Sequence, residues 1–546
     1  MTVPNIPAAK RAGLPVDLDR LTRDGDEWLS PEERYALKTH GVCAQVQPGV
    51  FMIRVRVPGG RLIPAQTNGL ATLAATYGGN WIHLSTRQNI ELHHVAARDV
   101  TEVLKATEAL GLTNRSACGH TLRNVMVCPD AGYGLDEPFD CFPDGFAVSD
   151  AIVARSAELN TRLPSRINMT FGGCPACREH ARLNDVGFES IVVDGRPAYR
   201  LWAGGSLGTA PALSVLLHDC IERQDVLAAA NALVELFVTR GAFETPKKAR
   251  MKYLLEQMGE GAFKAEWLAL FTKLKRRSSY RPEPVTVLKP ADISEILSHV
   301  PDRGWSTSVR PQHQPGLAMV TVNVPLGDLT GDEFRFLGTL AAFGDGLVHA
   351  TRNQNLLYRN VPVRRVAELR DAITDRGLAL ADADAALDVR ACTGSDVCSL
   401  AITAAPNTGH ALTASHGLAR NNALRVHVSG CPNSCAQHQA GDIGLAGAKV
   451  RINGETRLGY TVFLGADIPN GKTAALAGRV ADDDVPALVD GVVGAWESLR
   501  QPGERMADTV DRLGVDAFAA HVASVARGFA PGDESAEDDA AATLVD

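Results

Sequence analysis

Apolar and polar residues alternate along FMIRVRV at residues 51–57, which is the period of a β-strand with one buried face. A different spacing occurs in MKYLLEQM at residues 251–258, where apolar residues recur at intervals of three and four. That spacing lines one face of an α-helix. Because strand-type and helix-type segments follow one another within each half of the chain, they predict a mixed α/β architecture.

The pattern of segments occurs twice. Three pairs share sequence at a spacing of 266 to 267 residues: 51–62 with 318–329, 72–75 with 339–342, and 83–95 with 349–361. A second element repeats at a spacing of 257 residues, because GGCPACREHARLNDVGF at 172–188 resembles SGCPNSCAQHQAGDIGL at 429–445. Solenoid repeats are much shorter than this. The sequence therefore predicts a duplicated unit, in which a sheet-rich module precedes a module with a GCP loop.

Four of the eleven cysteines lie close together in the second GCP-loop module. They are Cys392, Cys398, Cys431 and Cys435, spaced C-x5-C and C-x3-C. Four thiolates are what an iron–sulfur cubane requires. Two alternatives are four buried structural thiols and structural zinc, which more often uses cysteines separated by two residues. The iron–sulfur cluster is the favoured interpretation.

This cysteine pattern, the GCPNSC-x-Q-x4-DIGL sequence that ends it and the duplication of the chain resemble the siroheme nitrite and sulfite reductases. The resemblance covers about residues 37–530. It implies an α/β (α+β) fold, internally duplicated, with two ferredoxin-like half-domains and two siroheme/cluster-binding modules. It also implies a 4Fe-4S cluster on Cys392, Cys398, Cys431 and Cys435, with Cys435 bridging the cluster to the siroheme iron. The implied reaction is the six-electron reduction of nitrite to ammonia or of sulfite to sulfide.

The same resemblance divides the chain into seven expected parts. These are an N-terminal extension (1–40), a ferredoxin-like half-domain (41–112), a siroheme/substrate module (113–280), a linker (281–304), a second half-domain (305–380), a 4Fe-4S/siroheme module (381–530) and an acidic tail (531–546). The tail contains six acidic residues and no basic residue. Removing these six charges from the net charge of −8 leaves −2, and we expect the tail to be disordered.

An anionic substrate and the carboxylates of siroheme need buried cations and hydrogen-bond donors. By resemblance, Arg87 in TRQN and Arg123 in LRNV are active-site arginines. LPSRIN at 163–168 occupies the position of a Lys-x-Lys or Lys-x-Asn pair and supplies Arg166 and Asn168 instead. Lysine shifts its pKa readily on burial whereas arginine stays charged, so the change puts a proton-donor role for residue 166 in doubt.

Other residues are expected to contact the cofactors. They are Gln88, Asn124, Gly204, Gly205 and Cys435. The two glycines belong to AGGSLG, which resembles a Gly-rich turn that holds siroheme carboxylates. The alternative for each arginine is a surface ion pair, but its occurrence together with the cysteine set favours the active site.

Further histidines and cysteines are candidates for the pocket or for a second metal. His93 and His94 lie in an apolar strand, where packing is expected, whereas His120 lies three residues before Arg123 and is a candidate pocket residue. The first module contains a second cysteine set: Cys118, Cys128, Cys174 and Cys177. A second cluster on these four is one interpretation, but the set lacks the C-x5-C spacing, so a remnant of the duplication is the favoured interpretation.

Composition narrows the class of protein. Apolar residues make up 45% and charged residues 22% of the chain, which is typical of a globular protein. No apolar run reaches the length of a membrane span, and the N-terminal residues lack the apolar segment of a secretory signal. We therefore expect a cytoplasmic protein without membrane or nucleic-acid partners, whose cysteines are thiols or metal ligands.

The chain also needs a source of electrons. It has no dinucleotide-binding fingerprint with its supporting strand and acidic residue, so we expect single electrons from an external carrier. Residues 247–281 contain ten Lys or Arg against three Glu. This basic segment is interpreted as a docking site for an acidic ferredoxin or, alternatively, as a solvated linker and helix face.

Asn168 favours nitrite as substrate, because sulfite reductases tend to have a second lysine there and a less cationic pocket suits a singly charged anion. Sulfite reduction with the same cofactors is the alternative. Two other classes are a tetrapyrrole-modifying monooxygenase, which would take up oxygen, and a non-catalytic cluster protein, which would bind no tetrapyrrole.

Overall fold

The computed structural model describes residues 3–288, 306, 308–380, 388–421, 424–452, 455–522 and 529–531. Its helices are α1 (Ile6–Arg11), α2 (Leu18–Asp24), α3 (Pro31–Thr39), α4 (Pro64–Tyr77), α5 (Val100–Ala109), α6 (Phe142–Ala154), α7 (Ser156–Arg162), α8 (Pro175–Leu183), α9 (Val226–Arg240), α10 (Met251–Met258), α11 (Glu260–Lys275), α12 (Gly331–Thr339), α13 (Val366–Thr374), α14 (Ala405–Thr413), α15 (His416–Arg420), α16 (Val485–Leu499), α17 (Met506–Leu513) and α18 (Asp516–Val522).

Its strands in the first half of the chain are β1 (Val42–Ala44), β2 (Val50–Val55), β3 (Arg61–Leu62), β4 (Trp81–Leu84), β5 (Ile90–Ala96), β6 (Leu122–Val127), β7 (Ile167–Gly172), β8 (Val186–Val193), β9 (Arg196–Ala203) and β10 (Val215–Glu222). In the second half they are β11 (Val309–Pro311), β12 (Leu317–Asn323), β13 (Asp328–Thr330), β14 (Val348–Ala350), β15 (Leu356–Pro362), β16 (Ala379–Leu380), β17 (Asp388–Ala391), β18 (Arg425–Ser429), β19 (Ile443–Ile452), β20 (Glu455–Leu464), β21 (Ala475–Ala481) and β22 (Phe529–Pro531).

Two antiparallel sheets form a pair of half-domains that exchange strands. The first sheet has the order β1-β2-β5-β4-β13 and the second β11-β12-β15-β14-β3. Strand β13 comes from the second repeat but pairs with β4, and β3 comes from the first repeat but pairs with β14. Helices α4 and α12 pack together, and one continuous apolar core contains side chains from both repeats.

Each half-domain is followed by a module built on its own sheet. Module 1 contains β6–β10 and α6–α11, and module 2 contains β17–β22 and α14–α18. In both sheets the first three strands run parallel and the next two antiparallel. Their cores are separate. Because parallel strands end at the same edge of a sheet, each module brings two cysteine-containing loops together there.

The N-terminal helices pack on the rest of the chain. Lys10 in α1 is buried and donates hydrogen bonds to the carbonyl oxygens of His120 and Leu163. Burial lowers the pKa of Lys10 to about 7. The beginning of the expected linker, residues 281–288, contains no helix or strand, and its remainder lies outside the described residues. All but the first residue of the expected acidic tail also lies outside them.

The patterns read from the sequence correspond to elements of the structure. The alternating segment forms β2, whose Phe51, Ile53 and Val55 side chains are buried. The segment with helical spacing forms α10. The prediction of a mixed, duplicated α/β fold is confirmed. None of the helices among the described residues is long and apolar enough to cross a membrane.

Candidate functional site

Module 2 brings the four predicted cluster cysteines together. Cys392 directly follows β17, and Cys431 follows β18 after one glycine. The thiols of Cys392, Cys398 and Cys435 all act electrostatically on Cys431, so the four sulfurs share one region. Burial is the largest cause that raises the pKa of the Cys392 thiol, to about 12, and charge on Cys435 adds to it. Such thiols need a bound cation to be stable as thiolates.

One hydrogen bond to sulfur already exists in this region. The backbone N–H of Gly430 donates to Cys392 Sγ at 3.1 Å. Amide hydrogen bonds of this kind tune the potential of an iron–sulfur cluster. Cys435 is exposed, in contrast to buried Cys431. Its side chain is therefore accessible from outside the group.

Four arginines lie close to one another beside these cysteines, and the region between them is called the pocket below. Each arginine comes from a different part of the fold. Arg54 lies on β2, Arg87 on the turn between β4 and β5, Arg123 on β6, and Arg166 directly before β7. Burial lowers the pKa of Arg123 to about 9, and the charges of Arg87, Arg166 and Arg54 act in the same direction. Repulsion among these charges makes the pocket favourable for an anion.

Arg87 connects this pocket to the cysteines. Burial lowers its pKa to about 10, Arg54 and Arg166 add to the effect, and Cys435 opposes it. The neighbouring hydroxyl of Thr86 donates to the carbonyl oxygen of Cys435 at 2.9 Å. Arg87 Nε is buried and has no hydrogen-bond partner among the described residues. A buried donor of this kind is a fitting contact for a negatively charged cofactor or substrate.

Arg54 is the pocket residue that sequence reasoning missed. It forms an ion pair with Glu91 at 2.9 Å and donates to Cys118 Sγ at 2.9 Å. Burial opposes ionisation of Cys118, but a hydrogen bond from Cys43 and the charges of Arg54 and Arg123 lower its pKa to about 5. The signal was present in the alternation of β2, because an arginine facing away from Ile53 and Val55 needs a polar environment.

The structure brings Arg87, Arg123 and Arg166 together. Gln88, the residue after Arg87, forms hydrogen bonds within the protein. Gln88 donates through Nε2 to the carbonyl oxygens of Gly59, Val127 and Ala350 and accepts from the N–H of Val127. Its amide therefore joins the half-domains to module 1. A cofactor contact of Gln88 stays a prediction.

Asn124 holds the Arg87 turn, because its Nδ2 donates to the carbonyl oxygens of Val57 and Arg87. The Oδ1 atoms of Asn124 and Asn168 are buried without a hydrogen-bond partner among the described residues. The backbone N–H of Asn168 donates to Asp185. Both side chains thus keep an acceptor atom for a group that the protein itself does not supply.

The Gly-rich turn uses its backbone donors within the protein. The N–H of Gly204 donates to Asp185 O, and the N–H of Gly205 lies within hydrogen-bonding distance of Asn184 O and Ser214 Oγ. A Cβ at Gly205 would lie 2.4 Å from the carbonyl oxygen of Arg182. The tight packing explains the glycine here, and a contact between this turn and a carboxylate stays a prediction.

The histidines named from the sequence lie in packed surroundings. His93 is buried and stacks on Trp81 with ring centroids 4.3 Å apart. The N–H of His94 donates to Gln45. His120 is buried with its ring edge against Tyr35, at 5.8 Å between centroids.

The cysteines of module 1 form a group of different membership from the one expected. The ligand atoms of Cys128, Glu137, Cys174 and Cys177 all lie within 4.8 Å of one another. The inclusion of Cys118 in this set was wrong, since its thiol lies with Arg54 and Cys43. Glu137 was missed because a carboxylate nine residues after Cys128 carries no recognisable spacing.

Comparisons with known proteins agree with the fold and with both repeats. Residues 118–273 and 382–527 match the family described as nitrite and sulphite reductase 4Fe-4S domain. Residues 44–110 and 310–376 match the family described as nitrite/sulfite reductase ferredoxin-like half domain.

Individual relatives cover most of the chain. A ferredoxin–nitrite reductase from Synechococcus elongatus is 30% identical over 484 residues, which are 85% of this chain and 90% of that protein. The NADPH sulfite reductase hemoprotein beta-component of a Methylobacterium species is 29% identical, covering 85% of this chain and 80% of that protein. The solved structure of Mycobacterium tuberculosis NirA has a TM-score of 0.80 at 23% identity and covers 95% of this chain and 98% of its own, a likeness of fold.

Proposed function

The chain belongs to the nitrite and sulphite reductase family, and on that premise we propose that it reduces nitrite to ammonia in a six-electron reaction. The observation that carries the proposal is the convergence of four arginines beside the peptide of Cys435. A pocket of this charge binds a small oxyanion, and the adjoining thiols bind a redox cofactor.

The chain is an oxidoreductase of this family with an iron–sulfur cofactor. We propose Cys392, Cys398, Cys431 and Cys435 as its ligands. Their chemistry fits a 4Fe-4S cluster, because four thiols from two loops share one region and one of them already accepts an amide hydrogen bond.

Siroheme is the second proposed cofactor, and Cys435 would help to hold it. Arg87 Nε is buried and has no hydrogen-bond partner in the part of the chain that the structure describes, which fits a cofactor with many carboxylates. When bound, siroheme and the cluster supply electrons one at a time to the anion.

The protein's own part in the reaction is to bind and orient the anion. Arg123 is held by three hydrogen bonds to the carbonyl oxygens of Ala117 and Gly119, so its guanidinium group is fixed in position. With pKa values of about 9 and about 10, Arg123 and Arg87 remain charged at neutral pH. A fixed positive charge stabilises an oxyanion without reorganisation.

Sulfite is the second candidate substrate. The relatives include ferredoxin–nitrite reductases at 28 to 30% identity and a sulfite reductase component at 29%. Counting Arg54 makes the pocket more cationic than the sequence indicated, which weakens the charge argument for nitrite. The names of the relatives and Asn168 support nitrite.

We propose ferredoxin as the electron donor and the cytoplasm as the location. The relatives named above include ferredoxin-dependent enzymes. A reducing compartment suits a chain whose cluster ligands must be thiolates.

The test uses cofactor-loaded enzyme, reduced methyl viologen, and nitrite or sulfite in parallel under anaerobic conditions. We expect ammonia formation with a higher kcat/KM for nitrite, and an absorption spectrum with tetrapyrrole bands. Preferential turnover of sulfite would select the second candidate. A loaded enzyme that turns over neither anion would exclude both.

A further inference from the structure

The first repeat has its own metal-ligand group at the position that corresponds to the cluster of the second. Cys128 directly follows β6 as Cys392 directly follows β17. The N–H of Cys128 donates to Phe171 O at 2.8 Å, and the N–H of Cys392 donates to Val428 O at 3.2 Å. Duplication has therefore kept the same strand-end position for one cysteine of each group.

The same correspondence holds for the second loop. Cys174 occupies the GCP position of the first repeat and Cys431 that of the second. Cys174 is the N-cap of α8, and Cys177 lies in its first turn. Their spacing is C-x2-C, the tight pair typical of structural zinc and absent from the module 2 set.

We propose that Cys128, Cys174, Cys177 and Glu137 bind a single zinc ion, separate from the catalytic cofactors. The Sγ atoms of Cys174 and Cys177 are 3.1 Å apart, and those of Cys128 and Cys174 are 3.5 Å apart. Zinc–sulfur bonds of about 2.3 Å in a tetrahedron place sulfur atoms about 3.8 Å from each other. The observed separations are close to this spacing, and all four ligand atoms lie within 4.8 Å of one another, whereas a cubane needs space for four iron atoms between the sulfurs.

The ligand types also select the metal. Three thiolates and one carboxylate are too soft a set for calcium or magnesium, which take oxygen ligands. Zinc accepts sulfur and carboxylate ligands together, and a complete set of four protein ligands is typical of a structural site. Cys128 and Cys177 are buried and Cys174 is half-buried, so the ion would be largely shielded from water.

The surroundings orient the ligands in the way that metal sites require. The Glu137 carboxylate accepts the N–H of Cys174 at 2.8 Å and that of Gly173 at 3.1 Å, which fixes its orientation. The guanidinium group of Arg352, a residue of the second repeat, donates to Cys177 Sγ. Four anionic ligands and one divalent ion have a net negative charge, and a neighbouring cation offsets part of it.

A glycine allows the ligands to approach. A Cβ at Gly172 would lie 2.7 Å from the Cβ atoms of both Cys128 and Cys177 and 3.0 Å from Cys177 Sγ. Any side chain there would separate the two sulfur-bearing loops. The local sequence GGCPAC thus combines the ligands with the space they need.

The test measures metal content in purified, full-length enzyme by mass spectrometry and zinc coordination by X-ray absorption. We expect about one zinc ion per chain, with three sulfur ligands at about 2.3 Å and one lighter ligand. Cys177→Ser and Cys128→Ser should lower zinc content at least tenfold and leave iron content unchanged. Cys220→Ser, which changes a half-buried cysteine on β10 of the same module, is the matched control and should keep its zinc.

Two results would overturn the proposal. The first is a negative result with the wild-type enzyme. The enzyme would contain no zinc when purified from zinc-supplemented cells, and after treatment with a chelator it would show no thiolate–cobalt absorption when cobalt(II) is added. This measurement does not depend on the folding of a variant. The second concerns the Cys177→Ser and Cys128→Ser variants. Either both variants keep their zinc, or the wild type contains extra iron and the variants lose that iron instead of zinc. Because the readout is metal content, the outcome is independent of which anion the enzyme reduces.

Discussion

At the scale of single residues, positive and negative side chains balance one another in the proposed substrate pocket. Four guanidinium groups share a small region, with Glu91 and the Cys118 thiolate as their close anionic neighbours. Arg54 is central to this balance, since it contacts both anions directly. We therefore expect Arg54 to position its neighbours through its planar, multidentate side chain as well as through its charge.

Arg54→Lys tests this role. Lysine keeps the charge but cannot hold Glu91, Cys118 and a substrate anion at once, so we expect kcat/KM for nitrite to fall by about tenfold or more, roughly 1.4 kcal/mol. The assay uses reduced methyl viologen as donor. Arg457→Lys, at an exposed ion pair with Asp483, should retain wild-type activity. Equal kcat/KM values for the Arg54 variant and the wild type would show that Arg54 does not contribute to substrate binding or turnover.

A second residue predicts how stability depends on pH. His349 is fully buried, and burial lowers its pKa from about 6.5 to about 4, an effect that Arg359 increases. The unfolded chain then binds a proton that the folded chain does not, so stability decreases as the pH falls from 6.5 to 4. The full loss is about 3 kcal/mol, because one pKa unit corresponds to about 1.4 kcal/mol.

We therefore expect His349→Gln to lose less thermal stability than the wild type between pH 7 and pH 5. Thermal unfolding followed by circular dichroism at several pH values measures this difference. His410→Gln, a change at an exposed histidine, is the control and should parallel the wild type. Parallel curves for the His349 variant would contradict the prediction.

At the scale of elements, the basic segment of module 1 is divided by its contacts. Lys264, Lys275 and Arg250 pair with Glu260, Asp225 and Asp185 within the module. Lys273, Arg276 and Arg277 lie exposed at the end of α11. The charge available to a partner is therefore smaller than the sequence count, and these three residues form one exposed part of it.

Replacing Lys273, Arg276 and Arg277 with Glu tests docking. We expect KM for ferredoxin to rise about tenfold at low salt, with the difference shrinking as ionic strength increases. Activity with methyl viologen should stay unchanged, because a small donor needs no docking surface. An unchanged KM for ferredoxin would show that the end of α11 is a solvated surface without a docking role.

At the scale of the whole molecule, the two repeats depend on each other. Each half-domain sheet ends in a strand from the other repeat, and Leu70 and Phe334 belong to one core. Gln88 and Gln354 occupy equivalent turns with φ of 57° and 63°. Gln88 donates to the carbonyl oxygen of Val127 and Gln354 to that of Ala391, and each of these residues directly precedes a proposed metal ligand, Cys128 or Cys392.

This exchange predicts that neither half folds alone. Fragments 1–288 and 289–546, expressed separately, should each expose an unpaired sheet edge and part of the shared core, and should aggregate. Expressed together, they should co-purify and regain the circular dichroism spectrum of the intact chain. A fragment that is monomeric and unfolds cooperatively by itself would contradict the shared core.

The sequence by itself determined the α/β class, the duplication and the family, because strand period, repeat spacing and the GCPNSC motif are local in the chain. It also named three of the four arginines that converge, since their short motifs are local as well. The cluster ligands and the roles of the site residues stay predictions.

Only the tertiary structure showed the strand exchange, the place of Arg54 and the group of Glu137 with three cysteines. These features join residues far apart in sequence, such as Arg352 and Cys177, or residues without a fixed spacing. Such contacts are set by how sheets and loops pack, which no local pattern records. In the first repeat, the observed group contains Glu137 where the sequence had suggested Cys118. This set of three thiols and one carboxylate is the basis for proposing zinc instead of an iron–sulfur cluster.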